Sequence, residues 1–260
     1  MKLIFIRHGD PDYVNDTLTE KGKEEAKALS DYIRNLEPTY IYQSPLGRAQ
    51  DTAEYSLDKL GMQAETKDWL REFSAEFDPN KSETARQAFK TELSVNSETG
   101  AYNKRIIWDI LPDYLGKHPE LLGEKTWQNS EVVASSDMIE KYEYVIRSFD
   151  ELLAQHGYER DGLIYRVKEN NSDTIIFFCH FGVTSVLLSH MMNISPFVLL
   201  QFMASAPTSV TELASEEREK GIAIFRMLRF GDTTHLSIQG QMPSFSARFC
   251  ERYDNMDERH

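Results

Sequence analysis

Residues 3–10 read LIFIRHGD. The first four side chains are apolar and rich in β-branched and aromatic types, and the run ends where glycine and aspartate begin. This pattern predicts a short strand that is buried on both faces, as the strands of parallel sheets are. Arg7 and His8 follow directly after that strand. We therefore expect an α/β fold with polar side chains at the end of a buried strand.

Two later segments repeat the order of strand, polar turn and helix. The predicted strands are residues 40–42 and 174–178, and the predicted helices behind them are residues 48–60 and 183–192. Gly61 closes the first of these helices. Behind the opening strand, residues 19–36 carry apolar side chains at helical spacing, and Thr19 is a suitable N-cap. The recurrence indicates parallel strands joined by helices.

The predicted architecture is a three-layer α/β sandwich, with a mostly parallel central sheet flanked by helices. Two late strands complete the sheet, residues 209–213 and 222–228, with a charged turn at residues 216–220 between them. A chain of 260 residues is close to the upper limit for one hydrophobic core. We therefore predict a single domain over residues 1–260 that carries an insertion.

The insertion is predicted over residues 73–166, which break the order of strands and helices. Its clearest element is a predicted helix at residues 132–153, so we expect a mostly helical cap over the strand ends. The cap holds aromatic side chains that could line a pocket, although such residues more often form a core: Tyr102, Trp108, Tyr114 and Trp127. It also holds basic side chains that could bind a phosphate group other than one bound at the strand ends, although scattered basic side chains are usually only solvated: Lys90, Lys104, Arg105 and Lys125.

The composition limits the partners of the protein. The chain has 42 acidic and 29 basic residues, and its formal net charge of -13 argues against a nucleic-acid partner, which clustered Lys and Arg would bind. In so acidic a protein, any pocket that binds phosphate would need a few arginines placed close together. The two cysteines, Cys179 and Cys250, match neither a disulfide framework nor a zinc site. We expect a soluble, cytoplasmic protein, since no stretch reaches the length of a membrane span.

Four polar residues fall at the predicted strand ends and helix starts: Arg7, His8, Arg48 and His180. In open α/β sheets, ligands bind beyond the carboxyl ends of the strands, so residues distant in sequence can meet there. The helices behind the strands direct backbone N–H groups to the same edge, which suits an anion. Two arginines can hold phosphate oxygens in a bidentate manner. The arrangement predicts a phosphate site.

Four segments resemble motifs of the histidine phosphatase superfamily and follow one another in the order of that family. They are FIRHG at residues 5–9, SPLGRAQDTA at residues 44–53, LRE at residues 70–72 and CHFG at residues 179–182. The family contains the cofactor-dependent phosphoglycerate mutases and many small-molecule phosphatases, and the chain resembles this phosphoglycerate mutase-like branch. The resemblance covers residues 1–72 and 172–236 and leaves the insertion uncovered.

The resemblance implies a role for each matching residue. His8 would attack phosphorus and become a phosphohistidine, while Arg7, Arg48 and His180 bind the phosphoryl oxygens and stabilise their charge. Glu72 would protonate the leaving alkoxide and then activate the water that hydrolyses the phosphohistidine. The resemblance implies no cofactor and no metal.

The sequence departs from the family pattern at three places. Residues 74–78, SAEFD, replace the usual neighbourhood of the proton donor, which leaves Glu76 as a competing donor. Phe181 stands where the family usually has glycine, but its backbone N–H can still face a phosphate, so we include it among the substrate-binding residues. Asn15, also assigned to substrate binding, lies one position away from the substrate-facing asparagine of mutase-like members.

We predict a phosphoric monoester hydrolase that acts on a phosphorylated small molecule and can hold phosphate or sulfate in its site. A phosphoglycerate mutase-like phosphotransferase uses the same residues and is the first alternative. A non-catalytic module that binds a phosphorylated ligand is the second. No pattern in the sequence identifies the substrate or the oligomeric state.

Overall fold

The computed structural model describes residues 1–89, 93–169, 171–244, 251–252 and 254–259, so that Lys90 and Cys250 lie outside the described residues. Its strands are β1 (Lys2–Arg7), β2 (Pro11–Asp12), β3 (Thr17–Leu18), β4 (Tyr40–Gln43), β5 (Glu65–Thr66), β6 (Glu76–Phe77), β7 (Arg105–Ile106), β8 (Tyr158–Asp161), β9 (Ile164–Val167), β10 (Thr174–Cys179), β11 (Val210–Glu219), β12 (Ile222–Asp232), β13 (Glu251–Arg252) and β14 (Asn255–Arg259). Its α-helices are α1 (Glu20–Tyr32), α2 (Gly47–Leu60), α3 (Pro112–Lys117), α4 (Glu131–Ala134), α5 (Met138–Gln155), α6 (Phe181–Met192), α7 (Pro196–Phe202) and α8 (Thr234–Ile238). Within this part of the chain, no helix combines the length and apolarity needed to cross a membrane.

The chain divides into two compact units, and the first comprises residues 1–72, 150–184 and 204–260. Eight strands of the described residues form its main sheet, in the order β5-β4-β10-β1-β11-β12-β9-β8. The first four are parallel to one another, and every pair from β1-β11 onward is antiparallel. The predicted α/β class is confirmed, and the sheet is mixed, with the predicted parallel character confined to its first half.

The central strands of the parallel half, β1 and β10, are buried on both faces. Ile4 and Ile6 of β1 belong to a buried cluster that includes Leu29 of α1 and Ala53 of α2. On the opposite face, Phe5 stacks on a phenylalanine of β10 with ring centroids 5.0 Å apart. Apolar burial of this kind is the main stabilising contribution to such a sheet. Short runs of apolar residues were therefore enough to identify these strands.

Both predicted helix boundaries near the N-terminus are confirmed. The Thr19 hydroxyl accepts a hydrogen bond from Gly22 N and so caps α1. Gly61 ends α2 with a φ of 65°, a left-handed conformation that glycine adopts without steric cost. Thr19 thus marks the start of α1, behind β1, and Gly61 marks the end of α2, behind β4.

The antiparallel half differs from the sequence prediction. β11 continues through the charged residues 216–219, which predict a turn, and the chain turns instead at Lys220 and Gly221. Charged residues are tolerated in this strand because its far end is exposed, and Arg226 Nε of β12 donates to Glu216 Oε2 at 2.7 Å. In addition, β8 and β9 form a hairpin at the edge of the sheet, at the end of the predicted insertion.

The second unit comprises residues 73–149 and 185–203. It contains α3, α4, α7 and most of α5 and α6, together with the two-residue strands β6 and β7. Trp127 is buried and meets the Tyr142 ring edge-on with centroids 5.1 Å apart, and Trp108 stacks on Phe73 at 6.3 Å. The aromatic side chains thus contribute to the packing of this unit. That the unit forms a cap over the strand ends remains a prediction.

The helix predicted at residues 132–153 is interrupted between α4 and α5. Ser136 Oγ donates to Val133 O at 2.7 Å and accepts from Met138 N at 3.1 Å, while Asp137 Oδ1 accepts from Glu76 N at 2.7 Å. Short polar side chains that bond to nearby backbone groups compete with helical hydrogen bonds. The Ser-Ser-Asp sequence therefore ends one helix and starts the next.

The predicted basic residues of this unit have acidic neighbours. Lys104 Nζ lies 3.7 Å from Glu76 Oε2, and Arg105 Nη2 lies 3.1 Å from Asp109 Oδ2. Lys125 is exposed. Recognition of a second phosphate by these side chains stays a prediction.

Candidate active site

Three predicted strand ends meet at one edge of the main sheet. His8 follows β1 and donates its backbone N–H to Cys179 O, at the end of β10, with a distance of 3.0 Å. Ser44 follows β4 and donates its backbone N–H to Phe178 O of β10 at 2.9 Å. His180 follows β10 itself. The parallel register therefore brings the two histidines together, as the sequence predicts, and places Ser44 beside them.

Both histidine rings of this site, those of His8 and His180, are buried, and their centroids lie 5.1 Å apart. His8 Nδ1 lies 2.7 Å from Gly9 O. Because a carbonyl oxygen can only accept, Nδ1 carries the proton and Nε2 of a neutral His8 holds a lone pair. His180 Nε2 lies 2.8 Å from Ser44 Oγ. The hydrogen bond to Gly9 thus fixes the tautomer that a nucleophilic His8 requires.

Two buried arginines accompany the histidines. Arg7 Nη1 donates to Ser205 O, and Arg48 Nη1 lies 2.5 Å from Asp16 Oδ1. Arg48 Nε and His180 Nδ1 are buried and make no hydrogen bond to the described residues. Buried polar atoms without a protein partner are uncommon, and in a site rich in donors they fit an anionic ligand.

Glu72 lies at the N-terminus of α6. Its Oε1 accepts hydrogen bonds from Gly182 N at 2.9 Å and from Val183 N at 3.3 Å. The carboxylate is also close enough to Arg7 to interact with its charge. A negative charge is favourable at this end of a helix. Glu72 is therefore joined to the strand end that carries His180, while the competing Glu76 lies on β6 in the other unit.

Comparison with known families gives one match to this chain. A model of the histidine phosphatase superfamily, branch 1, matches residues 3–103. Over these residues the chain is similar to the histidine phosphatase superfamily. The resemblance of the sequence motifs is thereby confirmed, and the matched region carries Arg7, His8, Arg48 and Glu72. No curated protein matches the chain in sequence.

Solved structures with a similar fold include two phosphatases. A mutant phosphoserine phosphatase from Entamoeba histolytica, solved with phosphoserine, is 17% identical, with a TM-score of 0.54 over 90% of this chain and 98% of that one. A mycobacterial glucosyl-3-phosphoglycerate phosphatase complexed with VO3 is 17% identical, with a TM-score of 0.52 over 88% of this chain and 98% of that one. The same mycobacterial phosphatase in complex with inorganic phosphate is 16% identical, with a TM-score of 0.53 over 90% and 98%. At these identities the matches establish the histidine phosphatase fold.

Phe181 and Asn15 are the two other residues predicted to bind substrate. The Phe181 ring is buried, and Arg7 Cζ lies 6.0 Å from its centroid, so the ring packs against the guanidinium. Asn15 is exposed, and its Nδ2 donates to Asp12 Oδ2 at 2.7 Å. Within the described residues, the hydrogen bonds of Asn15 join it to Asp12 and not to the histidines or arginines.

Asp16, which no sequence motif indicates, reaches Arg48 from the loop after β1. Its Oδ1 pairs with Arg48, and its Oδ2 accepts from Gly47 N at 2.8 Å. Thr52 Oγ1 accepts from Gly9 N at 2.9 Å and donates to Arg48 O at 2.7 Å. These side chains tie the loop after β1 to the first turns of α2. No motif spacing could reveal this contact, because it depends on the close approach of two backbones.

Replacing Gly47 with alanine is expected to disturb that approach. A Cβ at Gly47 would overlap Asp16 O, a backbone atom that cannot rotate away. The loop must shift, so we expect the free energy of unfolding to fall by about 1–3 kcal/mol and the affinity for inorganic phosphate to fall. Gly116→Ala on α3 is the control, since its Cβ meets nothing within 4 Å. Urea unfolding and calorimetry of both variants test this, and equal stability would contradict it.

His8 is expected to stay neutral in mildly acidic solution. Burial, followed by the charges of Arg7 and Arg48, holds the pKa of His8 well below its ordinary value of 6.5. Burial and the charges of His8, Arg48 and Arg7 lower the pKa of His180 as well. As the pH falls through 6.5, the His8 ring should therefore remain unprotonated and able to attack.

Replacing Arg48 with an uncharged residue should raise the pKa of His8. In Arg48→Gln, the protonated form of His8 loses a repulsive neighbour, so its pKa should rise. A nitrogen NMR titration of the imidazoles measures the change. Arg34→Gln is the matched control, because Arg34 is exposed and donates to Lys59 O at 2.9 Å. A His8 that titrates at its ordinary value in the unchanged protein would refute the assignment.

The part of the chain that the structure describes lacks a cluster of metal ligands. Among those residues, no group of three His, Cys, Asp or Glu side chains is arranged to hold a metal ion. Cys179 is buried, and burial raises the pKa of its thiol to about 12. A thiol of this kind carries little thiolate at neutral pH, so Cys179 is poorly suited to act as a nucleophile.

Proposed function

We propose that this protein is a phosphatase that hydrolyses a phosphate monoester through a phosphohistidine at His8. The observation that carries the proposal is the state of the His8 ring. The ring is buried beside Arg7 and Arg48, and its Nδ1 is bonded to Gly9 O. Its Nε2 lone pair is thus available beside the two cations that would bind the phosphoryl oxygens.

In the first half of the reaction, His8 Nε2 forms a bond to phosphorus while the bond between phosphorus and the ester oxygen breaks. Arg7, Arg48 and His180 stabilise the charge on the three non-bridging oxygens. The bound phosphate dianion favours the protonated form of Glu72, which gives its proton to the departing alkoxide, and the alkoxide leaves as an alcohol. The enzyme then holds a phosphohistidine and an ionised Glu72.

In the second half, water attacks phosphorus and the bond between phosphorus and His8 Nε2 breaks. Glu72 takes a proton from the water, inorganic phosphate leaves, and both side chains return to their starting states. The hydrogen bonds from Gly182 N and Val183 N support this role, because they hold Glu72 Oε1 in a fixed position. Each step of this scheme uses side chains of the chain itself.

Hydrolysis is favoured over phosphoryl transfer to a second substrate position. The loop asparagine assigned to substrate binding, Asn15, is bonded to Asp12, whereas a mutase needs contacts that retain its substrate. The residues after the proton donor also depart from the mutase-like pattern. The similar folds of two named phosphatases support the same choice. We infer a phosphorylated small molecule as the substrate.

The test measures two products from the same protein. Purified enzyme with excess chelator is given a chromogenic phosphate ester and, separately, 3-phosphoglycerate, and both inorganic phosphate and phosphoglycerate isomers are quantified. We expect chelator-resistant release of phosphate with no isomer. Isomer formation without phosphate release would identify a mutase instead. Binding of inorganic phosphate without turnover of either compound would identify a non-catalytic module.

A further inference from the structure

Tyr13 is an exposed aromatic residue whose ring lies beside Arg48. It stands in the loop between β2 and β3, and 62% of its surface is exposed. Arg48 Cζ lies 5.4 Å from the centroid of its ring. Arg7 also lies close enough to the Tyr13 phenol group for a side-chain hydrogen bond. One side chain thus contacts both of the arginines that are proposed to bind the phosphoryl group.

The loop on either side of Tyr13 is held by specific contacts. Before it, Asp12 Oδ1 accepts from Val14 N at 3.0 Å and from Asn15 N at 3.2 Å. After it, Asp16 bonds both Gly47 N and Arg48. The position of the Tyr13 ring is therefore set by the loop and does not depend on burial of its own surface.

The hydrogen bond to Arg7 determines what the phenol group can still do. A guanidinium has only donors, so the Tyr13 oxygen is the acceptor in that bond. The O–H proton of Tyr13 can then be donated to a second acceptor. Beside two guanidinium groups, the acceptor with the strongest attraction is an anionic oxygen.

We propose that Tyr13 is a further catalytic residue, which donates a hydrogen bond from its hydroxyl to a non-bridging oxygen of the bound phosphoryl group. The inference rests on the proposed function, because it assumes that the arginine pair binds phosphate. The ring would remain on Arg48 and the oxygen on Arg7, so one residue would orient both cations and contact the ligand. The motifs of the sequence analysis did not include this residue.

The test compares Tyr13→Phe with the protein carrying its natural tyrosine. Phenylalanine keeps the ring over Arg48 and removes only the hydroxyl. We expect inorganic phosphate to bind about tenfold to a hundredfold more weakly by calorimetry, the range for loss of one hydrogen bond to a charged group. The value of kcat/KM should fall by a similar factor. The thermal unfolding midpoint should not change, because the side chain is exposed.

Val14→Ala is the matched control, since Val14 is the next residue in the loop and 93% exposed. Unchanged phosphate affinity in Tyr13→Phe, or an equal loss in Val14→Ala, would overturn the inference. Failure of the proposed function has a different signature. In that case the natural protein binds phosphate but does not hydrolyse esters, and the phosphate affinity of Tyr13→Phe still tests the role of Tyr13. A natural protein that does not bind phosphate overturns both.

Discussion

Replacing His8 with asparagine is expected to lower kcat at least about a thousandfold, a loss of about 4 kcal/mol of transition-state stabilisation. The asparagine amide can take the place of Nδ1–H and donate to Gly9 O, so the loop after β1 should keep its structure. The variant has nothing in the place of Nε2, and no covalent intermediate can form. Arg7, Arg48 and His180 remain, so binding of inorganic phosphate should persist.

Three measurements together test this result. Steady-state kinetics give the loss of kcat, calorimetry gives the phosphate affinity, and phosphorus NMR detects the phosphohistidine in the natural protein alone. His156→Gln is the control, because His156 is a histidine that contacts Tyr42 instead of the arginine pair, with its Nε2 2.9 Å from the phenol oxygen. Turnover retained in His8→Asn would show that another nucleophile carries the reaction.

The strands and helices that form the candidate site were predictable because their signals are local. β1, β4 and β10 are short buried apolar runs, and the caps of α1 and α2 are single residues with a known preference. Parallel strands place their carboxyl ends at one edge by geometry alone. The convergence of His8 and His180 therefore follows from the order of elements along the chain, without knowledge of any contact.

The antiparallel half of the sheet could not be predicted in the same way. Residues 216–219 are charged, and charge usually indicates a turn, but here they lie at the exposed far end of a hairpin. The strands β8 and β9 are four residues each and follow a long helix, so their pairing with β12 depends on tertiary contact. Strand preference depends strongly on such surroundings.

Some contacts of the site also escape sequence reasoning. Asp16 has a backbone φ of 49°, a value that residues other than glycine rarely adopt. This conformation lets its carboxylate reach Gly47 N and Arg48. The family pattern indicates the neighbouring Asn15 instead. A shift of one position in a loop changes which side chain faces the site, and only the backbone conformation decides it.

Replacing Glu72 with glutamine is expected to lower kcat by about a hundredfold to ten-thousandfold for alkyl phosphates, because the alkoxide then departs without a proton donor. Glutamine can still accept from Gly182 N and Val183 N through its amide oxygen, so the contact with α6 should persist. An ester with a nitrophenolate leaving group needs no proton to depart. For that ester, the first step should be nearly unaffected and the second step slow.

The nitrophenyl ester therefore separates the two roles of Glu72. A burst of nitrophenolate followed by slow turnover, with phosphohistidine accumulating in the NMR spectrum, is the expected behaviour of Glu72→Gln. Glu76→Gln is the matched control, since Glu76 is the competing acid and lies 3.7 Å from Lys104 Nζ on β6. If Glu76→Gln showed the burst and Glu72→Gln turned over normally, the proton donor would be Glu76.

The two carboxylates differ in their surroundings. The Glu72 carboxylate accepts from backbone N–H groups at a helix N-terminus, while that of Glu76 faces a lysine. A proton donor has to hold one position through both steps, and the fixed contacts of Glu72 meet that requirement.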